Sequence, residues 1–470
     1  MNINNDTLPC QYTLPNGITI VHIPSIYKGI FRIECILRTG MLYEQKKEKG
    51  LAHFLEHLMS FFPSKKYPNS KTNQKYLQSK AIDVNAYTEE LVTGYYLEGN
   101  TTFFDKVLDI LMNNLIDPVY DQEIIEQEIK AVETELYNIT QDTYFNFEKM
   151  IDKVLFKNTS LSIGADEELN NIKNIHKSKN INLIKNFHKK EYCPPKTIIL
   201  FVLHYTNDEF YQLVQDIYEK YFNVNEKTKP NTIPQIPCKP KIEQQKCCNI
   251  YFTSRKSDGG KISIAFPVPF NKFSKESYIL SFLNYVLNSG MGSLLMHKAR
   301  IEEGLVYNFS NKIDYFPCEL QNLNVYMITT SFQNEEILPK LFKIILNTIQ
   351  NLIDFYTLQN NENNNAKEYD IIKTKENEYK HYLKVVQSKQ ENDMSFHRLL
   401  NFFHFNLIWN RKLQTISQYL KEQNQSICDL NLIRQTLKKV FNFNKLKVFY
   451  SCGSPVLQNY NKKNTKHHVF

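Results

Sequence analysis

Three residues able to do chemistry stand close together near the start of the chain: His53, Glu56 and His57, in the order His-x-x-Glu-His. Two imidazoles one helical turn apart point the same way, which is the bite needed for a single metal ion. The carboxylate beside them can accept a proton from a water the ion holds, without being a ligand itself. The flanking residues supply the helix. Over Gly50–Pro63, Leu51, Phe54, Leu55, Leu58 and Met59 recur at i, i+3, i+4, i+7 and i+8 and form one apolar stripe. At about 100° per residue, His53, Glu56, His57 and Ser60 fall on the opposite face, and Pro63 stops the helix. The bland alternative is a solvated polar face with two accidental histidines.

Two histidines leave a zinc site incomplete; a catalytic site takes a third protein ligand and keeps a position for water. The segment Asp121–Tyr137 offers candidates. Ile125, Ile129, Val132 and Leu136 form its buried stripe, and Glu128 and Glu135, two turns apart, share a face beside that stripe. A carboxylate in that position is costly unless paired or metal-bound. On helical geometry, Glu135 reads equally well as a ligand and as half of an ion pair. Glu123, Glu126 and Glu133 point elsewhere and read as solvated. His22, His176, His188, His297 and the His467–His468 pair read as surface or core rather than as ligands.

The elements that position these residues follow from composition shifts along the chain. Pro230, Pro234, Pro237 and Pro240 alternate with Lys, Asn and Gln, so 224–246 reads as an extended linker between domains 1–223 and 247–470. Each half opens with strand-like sequence: Gly17–His22 and Ile30–Leu37 in the first, Asn249–Phe252 and Lys261–Phe266 in the second. Each passes through helical segments and returns to a strand, Thr197–Leu203 and Leu446–Tyr450 respectively. The shared plan indicates an internal duplication. Asn360–Asn365 reads as a loop before a charged helix around Tyr369–Gln390, and Lys462–His468 as a solvated basic tail.

Beyond the first motif, the sequence resembles the pitrilysin, insulin-degrading enzyme and mitochondrial processing peptidase family. His53-x-x-Glu-His57 inverts the better-known zinc-protease order. Gly50-Leu-Ala-His-Phe-Leu-Glu-His-Leu-Met59 is similar to the family's first helix. Asn85-Ala-Tyr-Thr88 is similar to its "NAxT" strand, and Ala131-Val-Glu-Thr-Glu135 with Glu128 to its downstream Glu helix. Ile163-Gly164 with Glu167 and Glu168 resembles the loop that follows. In the second half, Ser289-Gly-Met-Gly-Ser293 and Arg300-Ile-Glu-Glu-Gly-Leu-Val-Tyr307 resemble its Gly-rich turn and Arg/Tyr element.

The resemblance implies an α+β fold of two similar domains, each a mostly antiparallel sheet flanked by helices, together forming half of a clamshell peptidase chamber. It implies one zinc ion per chain, held by His53, His57 and Glu135. The spacing to Glu135 is one residue longer than the family pattern, which keeps Glu133 open as the alternative ligand. Glu56 would be the general base and Glu128 a supporting carboxylate. Asn85 and Ala86 would face the backbone of a peptide substrate. Arg300 and Tyr307 would hold substrate and steady the developing oxyanion. Short relatives pair two chains, so the resemblance also implies a homodimer, or a heterodimer with a related chain. The competing expectation is a non-catalytic peptide-binding subunit of the same fold.

Composition sets the outer limits. The 470 residues are 42% hydrophobic and 13% aromatic, enough for two or three cores. A net charge of +8 on so large a surface is a mild bias, with no accompanying nucleic-acid signature. Met1–Ile30 has no basic n-region or apolar h-region, and Ile198–Leu203, the longest apolar run, is far short of a membrane span. Nine cysteines at irregular spacing read as reduced thiols, and the expected location is cytoplasmic.

Overall fold

The structure is a computed structural model. It describes residues 9–25, 27–61, 63–178, 180–222, 248–256, 259–316, 318–357, 366–392, 406–408, 414–457 and 465–469. The expected linker 224–246 and the loop Asn360–Asn365 lie outside the described residues. Contacts divide the chain into two compact units: Met1–Asp142 with Thr159–Cys238 and Ser395–Thr415, and Thr143–Asn158 with Lys239–Met394 and Ile416–Phe470.

The first unit is built on a six-stranded sheet of β1 (Cys10–Thr13), β2 (Thr19–Pro24), β3 (Ile30–Leu37), β4 (Asp83–Thr88), β5 (Thr93–Asn100) and β6 (Thr197–Leu203). The strand order is β1-β2-β6-β3-β5-β4, with every pairing antiparallel except β2 with β6. The run Thr197–Leu203 is apolar at nearly every position because β6 lies inside the sheet and is buried on both faces. One face packs Phe31, Ile33, Tyr95, Leu97 and Phe201 against the helix α3 (Phe104–Ile116).

The residues of the metal motif sit on a separate helical layer. The helix α1 (Leu51–Met59) buries Leu51, Phe54, Leu55 and Leu58 against Ile125, Ile129, Val132 and Leu136 of α4 (Gln122–Thr140). The same cluster takes Leu169, Ile172 and Ile175 from α6 (Ala165–Ser178) and Ile184 and Phe187 from α7 (Ile181–Glu191). Both apolar stripes read from periodicity are therefore buried, and they meet each other. The helix α1 ends at Met59, earlier than Pro63 alone requires, and the Glu56 carbonyl accepts both the Ser60 backbone N–H at 3.1 Å and Ser60 Oγ at 2.6 Å.

The second unit carries β7 (Cys248–Ser254), β8 (Gly260–Pro267), β9 (Phe309–Asp314), β10 (Val325–Phe332), β11 (Lys447–Cys452) and β12 (Thr465–Val469), in the order β12-β7-β11-β8-β10-β9. Without its outermost strand, each sheet has the same topology: β2-β6-β3-β5-β4 in one and β7-β11-β8-β10-β9 in the other. The duplication read from the shared plan is thus present strand for strand. The helix α5 (Phe145–Leu155), although early in sequence, buries Phe147, Met150 and Ile151 against Ala265, Val325 and Phe449 of this second sheet. The expected solvated tail Lys462–His468 is corrected in part: Thr465–Val469 pairs in parallel with Cys248–Phe252. An edge strand offers unpaired backbone groups, and a polar segment can satisfy them as well as an apolar one can.

Candidate metal centre

The left-handed Gly50 (φ 91°) turns the chain into α1, and Glu44 Oε1 accepts the backbone N–H groups of Gly50 and Ala52 at 3.1 and 2.8 Å. With its apolar stripe buried, α1 leaves His53, Glu56, His57 and Ser60 partly exposed, the face expected for them. The helix α4 packs against α1 and brings Glu135 to the same place. Glu135 Oε2 lies 3.6 Å from His53 Nε2 and 3.4 Å from His57 Nε2.

Each imidazole is held from behind. His57 Nδ1 is 3.3 Å from Glu128 Oε2, and His53 Nδ1 is 3.3 Å from Glu168 Oε1. An ionised carboxylate only accepts, so each ring donates from Nδ1, and in the neutral imidazole this leaves Nε2 as the atom able to bind a metal. These distances provide a test of fit. Donors on a tetrahedral zinc, at about 2.0–2.1 Å from it, stand about 3.4 Å from one another. Glu135 Oε2 stands 3.6 and 3.4 Å from the two Nε2 atoms, so both nitrogen–oxygen separations match that spacing before any adjustment. The donor set of two imidazoles and one carboxylate is also that of a catalytic rather than a closed structural site.

Glu56 stands beside this trio, and one ligand atom each from His53, Glu56 and His57 lies within 4.8 Å of the others. Burial pushes the Glu56 carboxyl above the ordinary glutamate value; His57 and His53 oppose the shift and Glu135 adds to it. The His53 imidazole is raised despite burial, because the Glu168 carboxylate accepts from it and Glu135 and Glu56 lie near.

Glu133 does not reach this cluster. It pairs with His176 at 3.1 Å, so its reading as solvated is corrected: α6 packs on α4 and presents His176 to it. His22 is a core residue and His188 is half-buried, within the surface-or-core reading given to both. Glu168 carries no local signal of a role at the site. Its position after Gly164 marks it as the start of a helix, and nothing local shows that α6 turns this side chain toward His53.

Asn85 and Ala86 lie on β4, the edge strand of the first sheet. Asn85 Nδ2 donates to Tyr96 Oη at 3.2 Å, while the Asn85 carbonyl oxygen Oδ1 accepts from the Ala86 N–H at 2.9 Å. A groove of about 400 Å³ runs beside this strand, lined by Glu56 and Ser60 of α1, by Gln74, Leu77 and Gln78 of α2 (Ser70–Ser79), and by Ile82–Ala86. In the second unit, Arg300 Nη1 donates to the Tyr307 carbonyl at 2.7 Å, and its guanidinium lies 4.5 Å from the centre of the Tyr307 ring. Tyr307 is 77% exposed.

Comparison with known proteins adds to this geometry. Residues 27–165 match the model of the insulinase family (peptidase family M16), and residues 180–368 match that of the peptidase M16 inactive domain. The chain belongs to the pitrilysin/insulinase family. Its similarity to "Insulin-degrading enzyme-like 1, peroxisomal" of Arabidopsis thaliana is 36% identity over 96 residues, 20% of this chain and 10% of that protein. With "Putative zinc protease mug138" of Schizosaccharomyces pombe it is 40% over 96 residues, again 20% and 10%. The matched stretch is thus a tenth of those relatives' length. A solved protease structure from Helicobacter pylori superposes with a TM-score of 0.72 over 95% of this chain and 100% of that one, at 19% identity. That likeness extends the insulinase-type fold to both units. No helix among the described residues is long and apolar enough to cross a membrane.

Proposed function

We propose that this insulinase-family chain is a zinc-dependent endopeptidase or oligopeptidase, with His53, His57 and Glu135 as the ligands of one zinc ion and Glu56 as the general base. The observation that carries this reading is the convergence of two Nε2 atoms on one carboxylate oxygen at 3.4–3.6 Å, with Glu56 alongside. The name of the zinc-protease relative supports the choice of metal. When bound, zinc supplies a Lewis acid that polarises a water and a peptide carbonyl.

The chain's own residues do the rest. Glu56, its carboxyl raised by burial, takes the proton of the attacking water and returns it to the leaving amine. Glu128 and Glu168 hold the imidazoles in the tautomer that leaves Nε2 free. The substrate enters extended and pairs with the open edge of β4 at Asn85 and Ala86, so recognition runs mainly through peptide backbone, with the groove taking side chains. Arg300 and Tyr307 donate hydrogen bonds to the tetrahedral oxygen. Because residues 180–368, which include much of the second unit, match the inactive-domain model, we assign that unit this supporting part rather than a second zinc site. We propose that a second copy of the chain, or a related one, completes the active site in a dimer. We place the protein in the cytoplasm on the irregular spacing of its cysteines, which shows no disulfide framework.

The test is Glu56→Gln. The variant is expected to keep about one zinc per chain and to hydrolyse a quenched fluorescent oligopeptide at least about 100-fold more slowly. Activity at the wild-type level would remove Glu56 from its role.

A further inference from the structure

The carboxylates behind the two histidines sit in different surroundings. Glu168, behind His53, is one end of a buried line of charges. Its Oε2 lies 3.9 Å from Lys49 Nζ, and Lys49 Nζ lies 3.7 Å from Glu44 Oε2. Lys49 and Glu44 are each 2% exposed. Glu44 is in turn the carboxylate that accepts the first N–H groups of α1. One ammonium thus stands between a carboxylate that caps α1 and a carboxylate that orients the first histidine of that helix. Both separations exceed hydrogen-bond length, so the link is electrostatic, and in a site closed to water it acts at low dielectric.

Two buried carboxylates this near each other repel, and removing the cation between them leaves uncompensated charge. Gly50 makes the approach possible: a Cβ there would lie 2.7 Å from Glu168 Cγ. Apart from His53 itself, no other cationic side chain is paired with Glu168 among the described residues.

We propose that Lys49 is a positioning residue for the metal site: the buried line Glu44–Lys49–Glu168 fixes the His53 ring and so sets the affinity of the site for its metal. This rests on the reading of His53, His57 and Glu135 as ligands. Lys49 is not itself a ligand and reaches His53 through Glu168, so its loss shows in metal affinity before it shows in the fully loaded enzyme.

The experiment measures the zinc dissociation constant of the full chain by competition with a chromogenic chelator, alongside the melting of the zinc-free protein. Lys49→Met is expected to weaken zinc binding about 10–100-fold. Lys49→Arg, which keeps the charge, is expected to bind within about threefold of wild type. Glu168→Gln keeps the shape and an acceptor but loses the charge. It reads the same link where Lys49→Met does not fold, with a loss of about tenfold or more expected. Wild-type affinity in a folded Lys49→Met or Glu168→Gln protein overturns the proposal. A wild-type chain that takes up no zinc overturns the ligand assignment first, and this inference with it.

Discussion

His53 and His57 divide their ring nitrogens the same way: Nδ1 faces a carboxylate behind and Nε2 faces Glu135. Removing Glu135 leaves the two imidazoles correctly aimed but one donor short. Glu135→Gln is therefore expected to lose zinc about 100-fold or more in affinity while melting close to the zinc-free wild type, read by chelator competition and circular dichroism. Other histidines matter for folding instead. His22 is fully buried, stacks on Phe210 with ring centroids 4.4 Å apart, and has its Nε2 3.2 Å from the Leu203 carbonyl; burial lowers its pKa to about 4. Burial likewise lowers His188 to about 4. Below pH 6.5 the unfolded chain takes up these protons and the folded chain does not, so stability present above 6.5 is lost as pH falls toward 4, by about 1.4 kcal/mol per unit per histidine. Chemical denaturation between pH 7 and 4.5 checks this, and His22→Phe is expected to flatten the slope. The HxxEH residues were legible because their spacing is a helical turn. Glu135 was legible as one of two options. Glu168, Lys49 and the Glu133–His176 pair were not, because each depends on how α6 and the turn before α1 pack, which no local period encodes.

At the scale of elements, the site is the product of one interface, that of α1 with α4. Phe54 is fully buried in it. Phe54→Ala is expected to cost about 3–5 kcal/mol in urea unfolding and to weaken zinc binding, since Glu135 reaches the histidines only through this packing. Gly50 meets two demands at once, a left-handed φ of 91° and contact with Glu168. Gly50→Ala is expected to lose about 1–3 kcal/mol, and a variant as stable as wild type would mean that the turn relaxes freely. Strands buried on both faces announced themselves: β3 lies at the strand-like Ile30–Leu37, and β6 at Thr197–Leu203, which holds the longest apolar run. The outermost strands β1 and β12 did not, because edge pairing needs only free backbone groups and leaves no apolar signature.

In the whole molecule, two units built on sheets of one topology carry different residues: the His53/His57/Glu135 cluster on the first, Arg300 and Tyr307 on the second. If a dimer completes the site, the two sets can be supplied by different chains. Mixing an inactive Glu56→Gln chain with an inactive Arg300→Ala chain is then expected to restore up to about a quarter of wild-type activity by statistical exchange. No recovery after confirmed exchange would place both sets in one chain. The duplication was visible in the sequence as a repeated strand–helix–strand plan, and the matching strand orders now give it a definite form. Crystals grown with zinc and measured at the zinc absorption edge should show one anomalous peak per chain, about 2.0–2.2 Å from His53 Nε2, His57 Nε2 and a Glu135 carboxylate oxygen. A peak elsewhere, or none, would contradict the account.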